Sequence, residues 1–409
     1  MDTRSVLLIS YHFPPRNTSA SIRPAYFCKY LPEFGFEPLV VSCRQDAIGH
    51  SSTKEAVALI VAKALQAVFR RYSDRLTWVP EIFAEAETIA KRGAVAAIYS
   101  TSPPISGHIL GMLLKLRTGK TWVADFQDPF AGNPFDRAAV STRCYCQCLQ
   151  RILFKYADHL IANTDQVAEF WVRQYPWTQT KVSTIWNGYD PGETIPQPSD
   201  KPERPLTLLH AGDLYGARTP VPLLTCLTRL VKAGAVRSEE LLIKLVGPIE
   251  PHIYSDLEKF EELKAGRCLE YDGSLVPRNR ALQLMASAAG LLLLDMNAQG
   301  AALQVPAKLY DYARVQKPIL AFTASGSPSE SILIRSGIPH VVIPTGSSPS
   351  QIDCKVLEFL HMAHGNGKRP NDWFTRTFNA RDQARQLAAI LNSLSASRDY
   401  ATSTSQVTS

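Results

Sequence analysis

The chain has 409 residues, 45% hydrophobic and 20% charged, the make-up of a soluble globular protein that is too long for one compact core and suits two domains. Its 44 Lys and Arg against 37 Asp and Glu give a formal charge of +7, mild for this length and not gathered into basic blocks; this excludes nucleic acid as the expected partner and leaves weak attraction to anionic ligands or membrane surfaces. The eight cysteines show no CxxC or Cys/His spacing for zinc and fit free thiols in a reducing cytosol, and no run reaches the roughly 18 apolar residues of a membrane span.

Met1 to Ser5 leads at once into Val6, Leu7, Leu8 and Ile9, a run too short for a signal peptide and suited to a buried first strand. The expected location is the cytoplasm, at most peripheral to the inner face of the cytoplasmic membrane. Ser10-Tyr11-His12-Phe13-Pro14-Pro15 and the polar loop Arg16 to Ser21 precede a helix carrying Arg23, Tyr26, Phe27, Tyr30 and Leu31. Gly35 closes that helix and Pro38 to Ser42 forms the next strand, giving a βαβ unit. From Glu55 to Tyr72, apolar residues at Val57, Ile60, Val61, Ala64, Leu65 and Val68 follow helical spacing beside Lys63, Arg70 and Arg71. This amphipathic helix either packs on the core or lies on a membrane surface.

Ala96 to Ser100 reads as a strand running into Thr101-Ser102-Pro103-Pro104-Ile105-Ser106-Gly107-His108, a loop and helix start at the carboxyl edge of the sheet. His108, in the first turns of that helix, is either a packed residue or a catalyst. The strand Trp122 to Asp125 ends in Phe126-Gln127-Asp128-Pro129-Phe130. Asp125 and Asp128 there either bond loop amides or meet a ligand. Cys144 to Tyr156 is helical, and His159 to Asn163 and Val182 to Ile185 are two more strands.

Five prolines between Pro191 and Pro205, with polar neighbours and no periodicity, mark a linker. Beyond it the architecture repeats. Apolar strands at Leu206 to His210, Leu242 to Val246, Leu291 to Leu294, Ile319 to Phe322 and Val341 to Ile343 alternate with helical stretches, so both halves are parallel α/β. Trp373 to Leu394 reads as a closing amphipathic helix, and Ser395 to Ser409 as a disordered tail.

Two loops in the second half carry the candidate chemistry. Ala211-Gly212-Asp213-Leu214-Tyr215-Gly216-Ala217-Arg218 follows a strand; its glycines let the backbone approach a ligand and Arg218 can hold a pyrophosphate bidentately. Gln304-Val305-Pro306-Ala307-Lys308-Leu309-Tyr310-Asp311-Tyr312 opens a helix after the Leu291 to Leu294 run, at a sheet edge where free N–H groups and the helix dipole favour an anion. Lys308 and Asp311 share a helix face, either as an ordinary ion pair or with Lys308 on a phosphate and Asp311 on a hydroxyl pair. Lys308 and Arg218 together would converge on one anion.

These features resemble the GT-B glycosyltransferases, in particular glycosyltransferase family 4, over nearly the whole chain. The resemblance is most specific at five places. They are Ser10 to Pro15 with Lys29 to Gly35; Ser102-Pro103-Pro104; Trp122 to Pro129; Ile185-Trp186-Asn187-Gly188-Tyr189-Asp190; and Val305 to Tyr312 with Lys317-Pro318. It implies two Rossmann-like parallel-sheet domains facing a cleft, residues 1–190 for the acceptor and 206–370 for the nucleotide sugar. A linker spans 191–205, and a closing helix, 371–394, packs back toward the N-terminal domain ahead of the tail, 395–409.

The resemblance further implies a retaining, metal-independent transfer from a nucleoside-diphosphate sugar to a glycan or lipid-linked acceptor in surface or exopolysaccharide synthesis. Any membrane contact falls to residues 55–72. By the same analogy Gly212, Arg218 and Lys308 hold the diphosphate, Asp311 receives the ribose hydroxyls, and the backbone at Leu275 and Val276 receives the base. Asp128, with His108 as the lesser candidate, handles the acceptor proton. The sequence departs from the family at three points. The family's Glu, seven residues, Glu pair is reduced to Leu303 and Asp311, which leaves the donor sugar to groups such as the amides of Gln299 to Leu303. Thr18 to Ser21 replace paired glycines, and Gln127 stands where Arg or His is common. The rival readings are a nucleotide-sugar epimerase or hydrolase of the same fold and a non-catalytic glycan-binding protein.

Overall fold

The computed structural model describes residues 4–16, 18–43, 76–131, 140–197, 205–296, 302–365 and 367–407. The amphipathic stretch Glu55 to Tyr72 and residues 198–204 of the linker lie outside the described residues. The chain divides into two compact units, one formed by Met1–Pro191 with Thr377–Ser409 and the other by Gly192–Arg376.

In the first unit the order is β1 (Arg4–Ile9), α1 (Ser19–Tyr30), β2 (Phe36–Val41), α2 (Trp78–Ala90), β3 (Val95–Ser102), α3 (Ser106–Thr118), β4 (Thr121–Phe126), α4 (Val140–Tyr156), β5 (His159–Ala162), α5 (Asp165–Gln174) and β6 (Val182–Thr184). The strands form one parallel sheet in the order β2-β1-β3-β4-β5-β6. Helices cover both faces of such a sheet, so its inner strands bury every side chain and read as unbroken apolar runs. Val6, Leu7, Leu8 and Ile9 are accordingly all inaccessible.

From Thr377 onward the closing stretch belongs to this unit. Instead of one helix over Trp373 to Leu394 there are two, Asp372–Phe378 and α14 (Ala380–Val407), broken at Asn379. The break has a backbone cause. Tyr189 N–H donates to Phe378 O at 2.9 Å and Ala380 N–H to Tyr189 O at 3.0 Å, so the amide of Ala380 is bonded outside the helix. Gly188 makes this approach possible, since a Cβ there would sit 2.2 Å from Phe378 O. Ala380, Ala384, Leu387, Ala388 and Leu391 then line one face of α14 against Phe27, Tyr30, Leu31 and Val6. Full burial of each leucine contributes about 1.5 to 3 kcal/mol. The helix runs past Leu394 because Ser395 to Val407 contains neither Gly nor Pro to stop it.

The second unit follows the same plan: β7 (Leu206–Ala211), α6 (Val221–Lys232), β8 (Leu241–Val246), α7 (Pro251–Glu258), α8 (Glu261–Ala265), β9 (Leu269–Asp272), α9 (Arg278–Ser287), β10 (Gly290–Leu294), α10 (Lys308–Arg314), β11 (Ile319–Thr323), α11 (Pro328–Ser336), β12 (His340–Pro344), α12 (Pro349–Ala363) and α13 (Asp372–Phe378). Its parallel sheet has the order β12-β11-β10-β7-β8-β9. Leu208, Ile243, Leu292, Leu320 and Val341, one from each of five strands, join Phe359 and Val356 of α12 in the core.

One buried charge pair ties the first unit together. Arg23 of α1 forks onto Asp125 at the end of β4, with Nε to Oδ2 at 2.7 Å and Nη2 to Oδ1 at 2.9 Å, while Nη1 donates to the carbonyls of Ile185 and Trp186 at 2.7 and 2.8 Å. Tyr99 adds its hydroxyl to Asp125. Asp125 therefore bonds two side chains of its own unit, Arg23 and Tyr99, and not the loop amides expected from the sequence. Asp125→Ala leaves a guanidinium buried without its carboxylate and is expected to cost about 3 to 5 kcal/mol. The measurement is the urea midpoint of unfolding; a loss below about 1 kcal/mol contradicts this account.

Candidate functional site

In the second unit the chain builds β7, β8 and β9 outward in one direction and then crosses back to place β10 on the other side of β7. The loops that leave β7 and β10 therefore diverge between neighbouring strands, and in open parallel sheets this reversal point opens a crevice at the carboxyl ends. Both candidate loops of the sequence lie there.

The first loop is shaped by backbone bonds. Gly212 N–H donates to Val246 O at 2.8 Å, Leu214 N–H to Pro248 O at 2.9 Å, and Glu250 N–H back to Leu214 O at 3.0 Å. Gly216 N–H adds a bond to the Glu250 carboxylate at 2.9 Å. These bonds fix the course of the chain up to Arg218, whose guanidinium lies 4.9 Å from the Tyr215 ring centroid. Arg218 is only 8% exposed, and among the described residues its Nε–H meets no acceptor and no carboxylate pairs with it.

The second loop brings Lys308 to the same place. Lys308 Nζ is 2.9 Å from His210 Nε2, and His210 Nδ1 is 2.9 Å from Leu292 O. A carbonyl only accepts, so Nδ1 carries the imidazole proton and Nε2 receives a bond from Lys308. Burial, with Lys308 beside it, holds the His210 imidazole neutral, its pKa well below the usual value. Tyr312, one turn into α10, receives the Ala211 N–H at 2.9 Å and locks the helix to the end of β7. Burial, and then Arg218, pushes the Lys308 ammonium well below its usual pKa. Gly212 leaves room for it: φ is +122°, and a Cβ there would stand 2.9 Å from Lys308 Nζ. Gly212, Arg218 and Lys308 thus come together as two poorly compensated cations at a glycine loop. An anion with several oxygens is the ligand that such a site stabilises.

Asp311 faces the same helix side but is already engaged. Arg278 grips it through Nη1 to Oδ2 at 3.0 Å and Nη2 to Oδ1 at 2.8 Å, and Arg278 in turn holds Glu193. Leu275 and Val276 lie between β9 and α9. Leu275 is 81% exposed, and Val276 lines a pocket of about 340 Å³ with Asp272, Arg280 and Leu284. Asp295, which the sequence did not single out, ends β10 nearly buried and accepts from Thr323 Oγ1 at 2.9 Å and Ser329 Oγ at 2.8 Å. Its signal was available, as a carboxylate directly closing a four-leucine strand. His210, inside an apolar strand, gave none. Residues 299–301 of the stretch assigned to the donor sugar, Gln299 to Leu303, lie outside the described residues.

The two first-unit candidates occupy different surroundings. His108 is fully buried, with Nδ1 2.8 Å from Ser100 Oγ, Nε2 2.9 Å from Ser102 Oγ, and its ring 4.1 Å from that of Phe126. Burial lowers its pKa to about 3, so it is neutral at ordinary pH, the environment of a packed residue. Asp128 reaches solvent, yet enough protein surrounds it that desolvation raises its carboxyl to about 6. Gln127 is buried, bonding Thr101 Oγ1 at 2.9 Å and Ala20 O at 3.1 Å.

Comparison with known proteins locates the fold. No family model and no curated protein sequence matches the chain. Solved structures match it over nearly its whole length. Sucrose-phosphate synthase from Thermosynechococcus elongatus is similar with a TM-score of 0.68 at 13% identity, covering 96% of this chain and 100% of that one. HepE from Anabaena in complex with UDP and glucose has a TM-score of 0.63 at 14% identity, covering 95% and 100%. The fold is GT-B. A UDP-GlcNAc 2-epimerase from Methanocaldococcus jannaschii shares it, with a TM-score of 0.53 at 10% identity over 95% of this chain and 99% of that one.

Gly212→Ala places a methyl group against Lys308 Nζ and forces a side chain into a left-handed backbone. The expected result is at least a tenfold loss of affinity for inorganic pyrophosphate by calorimetry, with the fold retained by circular dichroism. Unchanged affinity places the anion elsewhere.

Proposed function

We propose that this chain is a retaining, metal-independent glycosyltransferase that moves a sugar from a nucleoside-diphosphate sugar to a glycan or lipid-linked acceptor in surface or exopolysaccharide synthesis. The observation that carries the reading is the meeting, at the sheet's reversal point, of Lys308, packed against Gly212, with Arg218, which pairs with no carboxylate among the described residues. The UDP complex of the similar HepE supports a nucleoside diphosphate as the anion. The retaining course follows the resemblance of Val305 to Tyr312 to family 4.

On this reading the diphosphate sits against Lys308 and Arg218, and its charge favours the ammonium form of Lys308 that burial disfavours. As the glycosidic bond breaks, negative charge grows on the leaving diphosphate, and two cations held in place stabilise that charge more than the ground state. They supply the charge that a metal supplies elsewhere. Asp311 receives the ribose hydroxyls, the backbone at Leu275 and Val276 the base, and the first unit the acceptor. Asp128 accepts the acceptor's hydroxyl proton. The shared fold of the epimerase keeps one alternative open, a nucleotide-sugar epimerase or hydrolase, which turns over a nucleotide sugar with no acceptor present. No helix of the described residues is long and apolar enough to cross a membrane.

Thermal protection by a panel of UDP-, GDP-, ADP- and dTDP-sugars tests the reading, because a ligand bound only by the folded state raises the melting temperature with concentration. Protection by none of them sinks both enzyme readings. Lys308→Ala and Arg218→Ala are each expected to weaken diphosphate binding by about 1.5 to 3 kcal/mol, the range for hydrogen bonds to charged groups. Wild-type affinity in both variants would misplace the site.

Asp128 yields a pH prediction. Its raised carboxyl works as a base only when ionised, so kcat/KM should fall as pH drops through about 6. Asp128→Asn should abolish that acid limb and lower kcat by roughly 10²- to 10⁴-fold. A wild-type profile flat from pH 5 to 8 assigns the proton to another group.

A further inference from the structure

Four charged side chains of the second unit form a network beside the diphosphate site. Arg278, the first residue of α9, forks onto Asp311 with 3.0 and 2.8 Å bonds and onto Glu193 with Nε to Oε1 at 2.6 Å and Nη2 to Oε2 at 2.8 Å. Arg314 completes the set with Nη1 to Glu193 Oε2 at 2.9 Å and Nη2 to Glu193 O at 2.8 Å, and lies 3.9 Å from Asp311 Oδ1. Two guanidiniums against two carboxylates make the network neutral.

We infer that Arg278 is a positioning residue for the nucleotide's ribose: it fixes the plane of the Asp311 carboxylate and cancels its charge, so that Asp311 can accept the ribose hydroxyls one helical turn from a bound diphosphate. The inference rests on the reading of Asp311 given under Proposed function. It solves two physical problems in that reading. A carboxylate three residues from Lys308 repels the same diphosphate that Lys308 attracts, and at this range in a protein the penalty is substantial unless a cation lies closer. Arg278 is that cation. The second problem is orientation. Alone on α10, Asp311 has Arg314 as its i+3 neighbour and would swing toward it. The Arg278 fork instead takes one lone pair on each oxygen and leaves the other pair of each for a hydroxyl.

Glu193 explains how Arg278 keeps this geometry while its own side chain is 47% exposed. Arg314, at 9% side-chain exposure, clamps Glu193 by both carboxylate and carbonyl, and Glu193 pins Arg278. The order of support therefore runs from Arg314 through Glu193 and Arg278 to Asp311. An alternative role, in which the network only braces the stretch after Pro191, makes no demand on the ligand's sugar.

The test is calorimetric titration of the full chain with UDP and 2′-deoxy-UDP, and with GDP and 2′-deoxy-GDP, in wild type, Arg278→Ala, Arg278→Lys, Glu193→Gln and Asp311→Asn. A site built to bond a hydroxyl rejects the analogue lacking it, so wild type is expected to favour one ribonucleotide over its 2′-deoxy form at least tenfold. Arg278→Ala should bring that ratio to within about twofold of unity, Arg278→Lys and Glu193→Gln should give intermediate ratios, and Asp311→Asn should match Arg278→Ala. A purely bracing role lowers the melting temperature of the variants and leaves the ratio unchanged, which would overturn the inference. So would a preference that Asp311→Asn loses and Arg278→Ala keeps. If wild type binds both forms equally, the ribose role of Asp311 and this inference fall together; if it binds neither UDP nor GDP nor their sugars, the functional reading itself fails first.

Discussion

Leaving a buried cation without an anion is expensive, and the second unit does so at the one place where its strand order reverses. Arg218 spends its bulk on the Tyr215 ring, and among the described residues its Nε–H meets no acceptor and Lys308 bonds the neutral His210 alone. Both groups could have met a carboxylate, since Asp213 and Asp295 are near enough to favour the charged form of Lys308. Neither forms an ion pair with it among the described residues. Asp295 is instead held by Thr323, Ser329 and the amide of Met296. The local backbone is arranged to tolerate this imbalance, with Gly212 keeping its side of the crevice free of a Cβ and Tyr312 anchoring the helix that carries Lys308.

Elsewhere the same chain neutralises its buried charges with care. Arg23 and Asp125 in the first unit pair bidentately and spend the remaining donors on two carbonyls, the arrangement expected of a structural pair whose desolvation must be offset in full. The network of Glu193, Arg278, Asp311 and Arg314 likewise sets two guanidiniums against two carboxylates, yet it borders the site and is partly open to solvent. The contrast separates bracing from chemistry better than residue identity does. Arginine appears in all three settings, and of these, among the described residues, Arg218 keeps a buried N–H without a partner.

Much of this was legible in the sequence, for identifiable reasons. Strands of a parallel sheet covered on both faces must be apolar throughout, so Val6 to Ile9 and Leu291 to Leu294 announce themselves. Gly212, Arg218 and Lys308 were legible because a glycine loop after a strand and a lysine opening a helix are local patterns. The Arg278 network was not, because Arg278 reaches Glu193 across 85 residues and Asp311 across 33, and no local pattern joins them. His108 was ambiguous for a related reason. What decides its state is burial, with two serines six and eight residues earlier on β3 as its bonding partners, and both depend on how α3 lies against the sheet. The break at Asn379 was hidden likewise, since it depends on Tyr189, distant in sequence.

The substitution pattern near Lys308 also acquires a physical sense. Where the resemblance leads one to expect two glutamates around this helix start, the chain has Leu303 and Asp311. An aspartate is one methylene shorter than a glutamate, so its carboxylate sits closer to the helix and reaches less far toward a ligand. Arg278 compensates for part of that loss by fixing the shorter side chain in one orientation, which lowers the entropy cost of each hydroxyl bond it makes. Leu303 removes the other charge altogether. With Asp311 neutralised and no glutamate at 303, the electrostatic balance at the start of α10 is shifted toward Lys308 and Arg218. That shift favours a ligand carrying its negative charge at the diphosphate, and it leaves recognition of the transferred sugar to uncharged groups.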